Sequence, residues 1–185
     1  MSKKNKVIKL SEMTLGCLAS SIVSAVGYSI ARESLETNFN LHELDMSLVM
    51  VMINSYLDAN GATNVVYEDL LQTILSSDNV QASIRFVCLQ TLLNHHIKTL
   101  TTDIFPYPYY EKILQVVSAQ GNNLRCLNMK GVWIKEEMMS LLNQMLKTLP
   151  KLIKLVIPYI ANDDVLLHIK RHQRNLRYLD ISGES

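Results

Sequence analysis

The sequence has few cysteines and no recognisable catalytic signature, and both absences exclude classes of protein. Its three cysteines, Cys17, Cys88 and Cys126, show no C-x-x-C spacing and so predict neither a disulfide framework nor a zinc site. The chain has no G-x-S-x-G elbow, no phosphate-binding glycine loop and no paired catalytic carboxylates. We therefore expect no enzyme, no cofactor and no metal, in a protein of the reducing cytoplasm or of the nucleus.

The chain also has almost no net charge, but its charges are unevenly distributed. Residues 1–9 carry four lysines, whereas residues 10–124 carry four basic and eleven acidic groups, a net charge of −7. Residues 125–185 carry ten basic and six acidic groups, a net charge of +4, which brings the whole chain to +1. Both ends are therefore basic and the middle is acidic.

What the sequence does contain is a ladder of leucines in its last third. The ladder has three segments, Leu124-x-x-Leu127-x-Met129, Leu152-x-x-Leu155-x-Ile157 and Leu176-x-x-Leu179-x-Ile181. Their middle leucines are 28 and then 24 residues apart, which is the period and local pattern of a leucine-rich repeat. A degenerate fourth copy has its central Leu100 placed 27 residues before Leu127. We therefore expect four strands whose ladder residues point inward.

This pattern predicts an α/β protein with an N-terminal helical head and a short leucine-rich-repeat solenoid of parallel strands and outer helices. We divide the chain into a basic flexible tail (1–10), the helical head (11–96) and the repeats (97–185), with about four strands and an incomplete last repeat. Helical spacing and capping residues predict helices over 12–35, 41–59, 67–76, 80–94, 107–119, 136–148 and 163–172. Because no helix follows the last strand, we expect a fragment, a short isoform, or an end covered by a partner or a second copy.

One segment of the predicted head allows a different interpretation. Residues 13–31 contain no charged group and follow the amino-terminal lysines, an order that mimics a secretory signal or a membrane anchor. Against this, four serines and two glycines dilute the segment, and Leu15, Leu18 and Ile22 recur at helical spacing. We favour an amphipathic helix and keep the signal or anchor as the alternative.

In the predicted repeats, the residues between the inward leucines project from the concave face of the sheet, a common ligand surface of solenoids. The concave candidates are Thr99, Thr101, Asp103, Cys126, Asn128, Lys130, Lys154, Val156, Pro158, Tyr178, Asp180 and Ser182. Their mixed chemistry predicts a protein or peptide partner rather than a small molecule. We expect a non-catalytic protein–protein interaction module, with a plain repeat scaffold of unknown partner as the alternative.

Two short segments resemble those of the leucine-rich substrate receptors of cullin-RING ubiquitin ligases, in particular the zyg-eleven and zer-one family. Met13-x-x-x-Cys17-Leu18 is similar to the helix with which these receptors bind an elongin adaptor. Phe105-Pro106-x-x-Tyr109-x-x-x-Ile113 is similar to their cullin-selecting box and, as in that family, leads directly into leucine-rich repeats. The resemblance implies a substrate-recognition subunit that binds elongin and a cullin. The armadillo domain that recognises degrons in that family has no counterpart in this sequence.

Basic residues near the end of the chain support one further alternative. Lys170, Arg171, His172, Arg174 and Arg177, with Lys147, Lys151 and Lys154, could form a patch that attracts phosphates. Only Tyr178 accompanies them as an aromatic residue for base stacking, so nucleic-acid binding is the weaker alternative. His168 and His172 have the i, i+4 spacing that zinc can use, but no third ligand is apparent and we interpret them as surface histidines.

Overall fold

The computed structural model describes residues 10–35, 64–102, 105–130, 132–158 and 163–182. Within these ranges the chain forms six α-helices and four short strands. The helices are α1 (Leu10–Leu35), α2 (Asn64–Leu75), α3 (Ala82–Leu92), α4 (Tyr110–Gln120), α5 (Met139–Lys147) and α6 (Asp163–His172). The strands are β1 (Thr99–Thr101), β2 (Cys126–Asn128), β3 (Lys154–Val156) and β4 (Tyr178–Asp180). The protein is therefore an α/β protein, as the sequence predicts.

The four strands form one parallel sheet in chain order, β1-β2-β3-β4. Its register aligns the four central leucines, Leu100 with Leu127, Leu127 with Leu155, and Leu155 with Leu179. The prediction that these leucines line adjacent parallel strands is confirmed. The first three are at most 1% exposed, because strand side chains alternate and these positions all face the core.

The turns that precede the strands have the same hydrogen bonds at all four positions. The N–H of the residue two before each strand donates to the carbonyl three residues earlier, in the pairs Ile97–Asn94, Leu124–Gly121, Leu152–Leu149 and Leu176–Gln173. The carbonyl directly before a strand accepts from two N–H groups of the next strand, as Arg125 does from Ile153 at 2.7 Å and Lys154 at 2.9 Å. These hydrogen bonds set the register between neighbouring strands, so equivalent residues lie side by side.

The three helices that follow β1, β2 and β3 form a layer on the leucine side of the sheet. In this layer α4 contacts α5, and α5 contacts α6. Their apolar residues recur every three or four positions and are buried; they are Ile113, Leu114, Val117, Leu142, Met145, Leu146, Val165 and Ile169. Short one-turn 3₁₀ helices, Tyr107–Tyr109 and Glu136–Met138, lead into α4 and α5.

The helices of the head share this core and cover the β1 end of the sheet. Helix α1 contacts both α2 and α3, with Ile22 and Val26 buried, and α2 also contacts β1. Arg85 of α3 is buried, and its Nη2 donates to the carbonyl of Ser77 in the turn between α2 and α3. The buried residues from α1 to α6 belong to one continuous hydrophobic cluster.

The predicted helices that fall on described residues are confirmed to within three residues at each end. The predicted helix over 41–59, the tail up to residue 9 and residues 183–185 lie outside the described residues. None of the described helices, including α1 with residues 13–31, combines the length and apolar character required to cross a bilayer.

Candidate functional site

The sheet face opposite the leucine core carries the predicted concave residues in two parallel rows. The register sets Thr99, Cys126, Lys154 and Tyr178 side by side in the first row, and Thr101, Asn128, Val156 and Asp180 in the second. Because α4, α5 and α6 pack on the leucine side, these helices leave both rows uncovered. The structure therefore brings residues from four distant points of the chain onto one surface, which we call the open sheet face. Asp103 lies outside the described residues.

A cation–aromatic pair occupies the first row of the open sheet face. The Lys154 Nζ lies 4.7 Å from the centroid of the Tyr178 ring. Both side chains are exposed, Tyr178 to 49%. Such a pair is favourable by about 0.5–1 kcal/mol at an exposed site. Exposed tyrosines of this kind are frequent energetic anchors of protein interfaces.

A carboxylate lies beside this pair in the second row. The Asp180 Oδ1 accepts hydrogen bonds from the Ser182 N–H at 3.0 Å and from the Ser182 hydroxyl at 2.5 Å. These bonds, then a bond from Tyr178 and the positive charge of Lys130, hold the pKa of the Asp180 carboxyl below its usual 3.8. Asp180 is therefore an anion at neutral pH, set among Lys130, Tyr178 and Ser182.

The ends of β2 and β4 share a local side-chain cap that β3 lacks. The Asn128 Oδ1 accepts from the Lys130 N–H at 2.9 Å, just as Asp180 accepts from Ser182. The corresponding residues of β3 are Val156 and Pro158, so the acceptor is missing, but proline has no N–H that needs one. Both residues are buried, Val156 to 8% exposure. Our candidate Val156 therefore offers a partner little surface.

The predicted adaptor residues on α1 are only partly accessible. Cys17 is exposed, Leu18 is half-buried, and the side chain of Met13 lies outside the described residues. The Ser21 hydroxyl donates to the Cys17 carbonyl at 2.9 Å, so the exposed side of the helix is polar around the thiol. In contrast, burial raises the pKa of the Cys88 thiol from 9.0 to about 12. Of these two cysteines, Cys17 is the one that can contact a partner or a reagent.

Most of the predicted cullin-selecting residues belong to the core. Phe105 is 3% exposed and Ile113 is fully buried, so neither can contact a partner in this conformation. The Phe105 ring lies 6.0 Å from Tyr109, which in turn lies 5.5 Å from Phe86 of α3. These rings pack the start of α4 against the head. Only Pro106, which is exposed, and the half-buried Tyr109 remain available at the surface.

The two histidines predicted to share one face of α6 lie close together. The rings of His168 and His172 lie 4.4 Å apart. Desolvation lowers the pKa of His168 most, followed by the charges of His172, Lys147 and Arg171. The described residues contain no group of three or more His, Cys, Asp or Glu side chains that could hold a metal ion.

Two exposed residues of note were not among our sequence candidates. Arg125 lies in the ladder segment beside Leu124, and with Lys151, Arg174 and Arg177 it lines one groove. Aligning the three ladder segments in the sequence could have identified Arg125, because Arg125 and Arg177 occupy the same position one residue before their strands. The second residue is Trp133, which follows β2 and is 70% exposed. No periodic pattern in the sequence distinguishes this tryptophan from a core residue.

Comparison of the chain with known protein families, with curated proteins and with solved structures finds no match.

Proposed function

We propose that the chain is a non-catalytic protein–protein interaction module that binds its partner on the open sheet face. In this proposal residues 97–185 form a short leucine-rich-repeat solenoid, and the exposed ends of the two rows contact the partner. The contacting residues would be Asn128, Lys130, Lys154, Tyr178, Asp180 and Ser182.

One observation carries the proposal: a sheet face that α4, α5 and α6 leave uncovered presents lysines, a carboxylate and a 49% exposed tyrosine within a few strands. The surface has both signs of charge and an aromatic side chain held by Lys154, which is the composition of a protein-binding surface. Sequential parallel strands with equivalent turns support the solenoid, because each unit shares its core with the next and presents the same face.

The experiment is partner capture with matched surface variants of the full chain. The test variant is Lys154→Glu with Tyr178→Ser, and the control is Lys112→Glu with Tyr28→Ser, which changes the same residue types at exposed positions on α4 and α1. We expect quantitative mass spectrometry to find proteins that are lost with the test variant and kept with the control. No such protein, or equal loss with both variants, would contradict the proposal.

A more specific form of the proposal is a substrate-recognition subunit of a cullin-RING ligase that binds an elongin adaptor through Met13, Cys17 and Leu18. The exposed thiol of Cys17 supports it, since an adaptor-binding helix needs an accessible cysteine face. The burial of Phe105 and Ile113 limits any cullin contact to Pro106, Tyr109 and their surroundings.

This form is tested with purified elongin complex in titration calorimetry. Binding that is lost in Cys17→Glu and kept in Ser24→Glu, another exposed position of α1, is the expected result. Absence of heat with the unmodified chain would remove the ligase role and leave the interaction module intact.

A further inference from the structure

A cationic groove lies at the amino-terminal ends of β2, β3 and β4, at the edge of the sheet rather than on its open face. It has a volume of about 430 Å³. Four of its lining residues are basic, Arg125, Lys151, Arg174 and Arg177, and two are aliphatic, Ile153 and Leu176. We call it the basic groove. Its lining residues come from the three segments that precede β2, β3 and β4.

The strand register determines the arrangement of the groove. Arg125, Ile153 and Arg177 each stand one residue before their strands. The Arg125 carbonyl accepts from the Ile153 N–H at 2.7 Å, and the Ile153 carbonyl accepts from the Arg177 N–H at 2.8 Å. With adjacent strands about 4.8 Å apart, the two arginines flank the isoleucine at a backbone distance of about 10 Å. An aliphatic residue thus lies between two guanidinium groups.

The charges of the groove are not neutralised by the surrounding structure. No carboxylate lines it, and none of its four basic side chains forms an ion pair with a carboxylate in the described part of the chain. The Lys151 Nζ donates instead to the neutral Asn123 Oδ1. The groove therefore carries a surplus of positive charge.

The chemistry of the lining distinguishes between anionic partners. Ile153 is 37% exposed, so the groove has an accessible apolar residue among its cations. It has no aromatic lining residue on which a nucleic-acid base could stack. Arginine side chains form paired hydrogen bonds with carboxylates. An acidic peptide with an aliphatic side chain matches all three properties, whereas a nucleic-acid backbone leaves Ile153 without an apolar contact.

We propose that the basic groove binds an acidic peptide segment, with carboxylates at Arg125, Arg174 and Arg177 and an aliphatic side chain over Ile153. This site is separate from the open sheet face and adds a second contact to the interaction module. The first step of binding is attraction between opposite charges, so the affinity falls as salt concentration rises.

The test is fluorescence anisotropy of the full chain with a labelled peptide of repeating Glu-Glu-Leu at low salt. We expect saturable binding that is weaker for repeating Gln-Gln-Leu, for repeating Glu-Glu-Ser and for an oligothymidylate of equal charge. Arg174→Glu with Arg177→Glu should weaken binding by about tenfold or more, because two favourable charge contacts become repulsive. Ile153→Ser should weaken it by about fivefold without altering any charge.

The matched control is Lys112→Glu with Lys135→Glu, which makes the same change in net charge at exposed positions away from the groove and should leave the affinity within about twofold. Tighter binding of the oligothymidylate than of the Glu-Glu-Leu peptide would overturn the proposal in favour of a nucleic-acid site. Equal losses in the groove and control variants, or equal affinity for the Glu-Glu-Leu and Glu-Glu-Ser peptides, would show attraction by net charge alone and would also overturn it. Circular dichroism confirms that each variant is folded.

Discussion

The strands β3 and β4 have the same ladder pattern and the same hydrogen bonds in the turns that precede them, yet their central leucines differ in burial. Leu155 of β3 is fully buried, whereas Leu179 of β4 is 37% exposed. Strand β3 lies between β2 and β4, while β4 pairs with β3 alone within the sheet. The comparison teaches that the pattern specifies which way a leucine points, and that the neighbouring elements set how much surface it buries.

The largest effect on the free energy of unfolding is expected from truncating a central ladder leucine, and it should be greater for interior Leu127 than for Leu179 of the last strand. Leu127→Ala should lower the free energy of unfolding by about 2–5 kcal/mol, because the Leu127 side chain is only 1% exposed and its truncation leaves a cavity in the core. Leu179→Ala should cost about 1 kcal/mol or less, since much of its surface already contacts water. Urea unfolding followed by circular dichroism measures both. Equal losses would mean that β4 is as well packed as β2.

The second prediction concerns the turn before β2, where a glycine occupies the position held by Leu149 and Gln173 in the later turns. A Cβ on Gly121 would lie 2.6 Å from the Val117 carbonyl oxygen and 2.9 Å from Leu124 Cδ1. Gly121→Ala should therefore destabilise the protein by about 1–3 kcal/mol through overpacking.

The matched control is Gly16→Ala in α1, where the added Cβ meets no atom within 4 Å. It should stabilise the protein by about 0.5–1 kcal/mol, because alanine loses less conformational entropy than glycine in a helix. Thermal unfolding should show a lower melting temperature for Gly121→Ala and a higher one for Gly16→Ala. A stabilised Gly121→Ala variant would show that the turn before β2 tolerates the side chains found in the later turns.

A smaller effect is expected from two asparagines that link successive turns. The Asn123 Nδ2 donates to the His95 carbonyl at 2.9 Å, and the Asn175 Nδ2 donates to the Pro150 carbonyl at 2.9 Å. Each alanine substitution should cost about 1 kcal/mol. Asn123→Ala should cost more than Asn175→Ala, because Asn123 also accepts from Lys151. Chemical denaturation measures the stability of both variants. A less stable Asn175→Ala variant would contradict this order.

The smallest effect is a pH dependence that β4 has and β2 lacks. The pKa of Asp180 is lowered in the folded protein, so its bonds to Ser182 contribute to stability above the unfolded pKa and are lost as the pH falls through the folded one. The corresponding Asn128 has no charge to lose. NMR titration should find the Asp180 carboxyl protonating below pH 3.8, and the stability difference between the native chain and Asp180→Asn should shrink over that range. A midpoint above 3.8 would contradict the assigned bonds.

Much of the strand region could be predicted from sequence because its constraints are local and repeated. The spacing of Leu127, Leu155 and Leu179 implies parallel strands in one register, and the register in turn places Lys154 beside Tyr178. The burial of Val156 was not predictable in the same way. The register places Val156 level with Asn128 and Asp180, which are only half-buried, so its burial depends on packing that the ladder spacing does not specify.

The predicted cullin-selecting segment shows the opposite balance. Helical spacing predicts the helix that contains Ile113, but the burial of Phe105 depends on tertiary packing, in which its ring lies beside Tyr109 and Tyr109 lies beside Phe86 of α3. The basic groove is a similar case. Arg125 and Arg174 are 49 residues apart in the chain, and they meet only because consecutive turns stack.

The amino-acid order alone specified the periodic apolar positions, and with them the helices, the direction of the strands and the side of the sheet on which the leucines lie. Those features follow from alternation along a strand and from the turn of a helix, which act over a few residues. Folding in three dimensions established how deeply each residue is buried, which charges remain unneutralised and which distant side chains share a surface. These properties depend on contacts between residues far apart in the chain, and no local pattern encodes them.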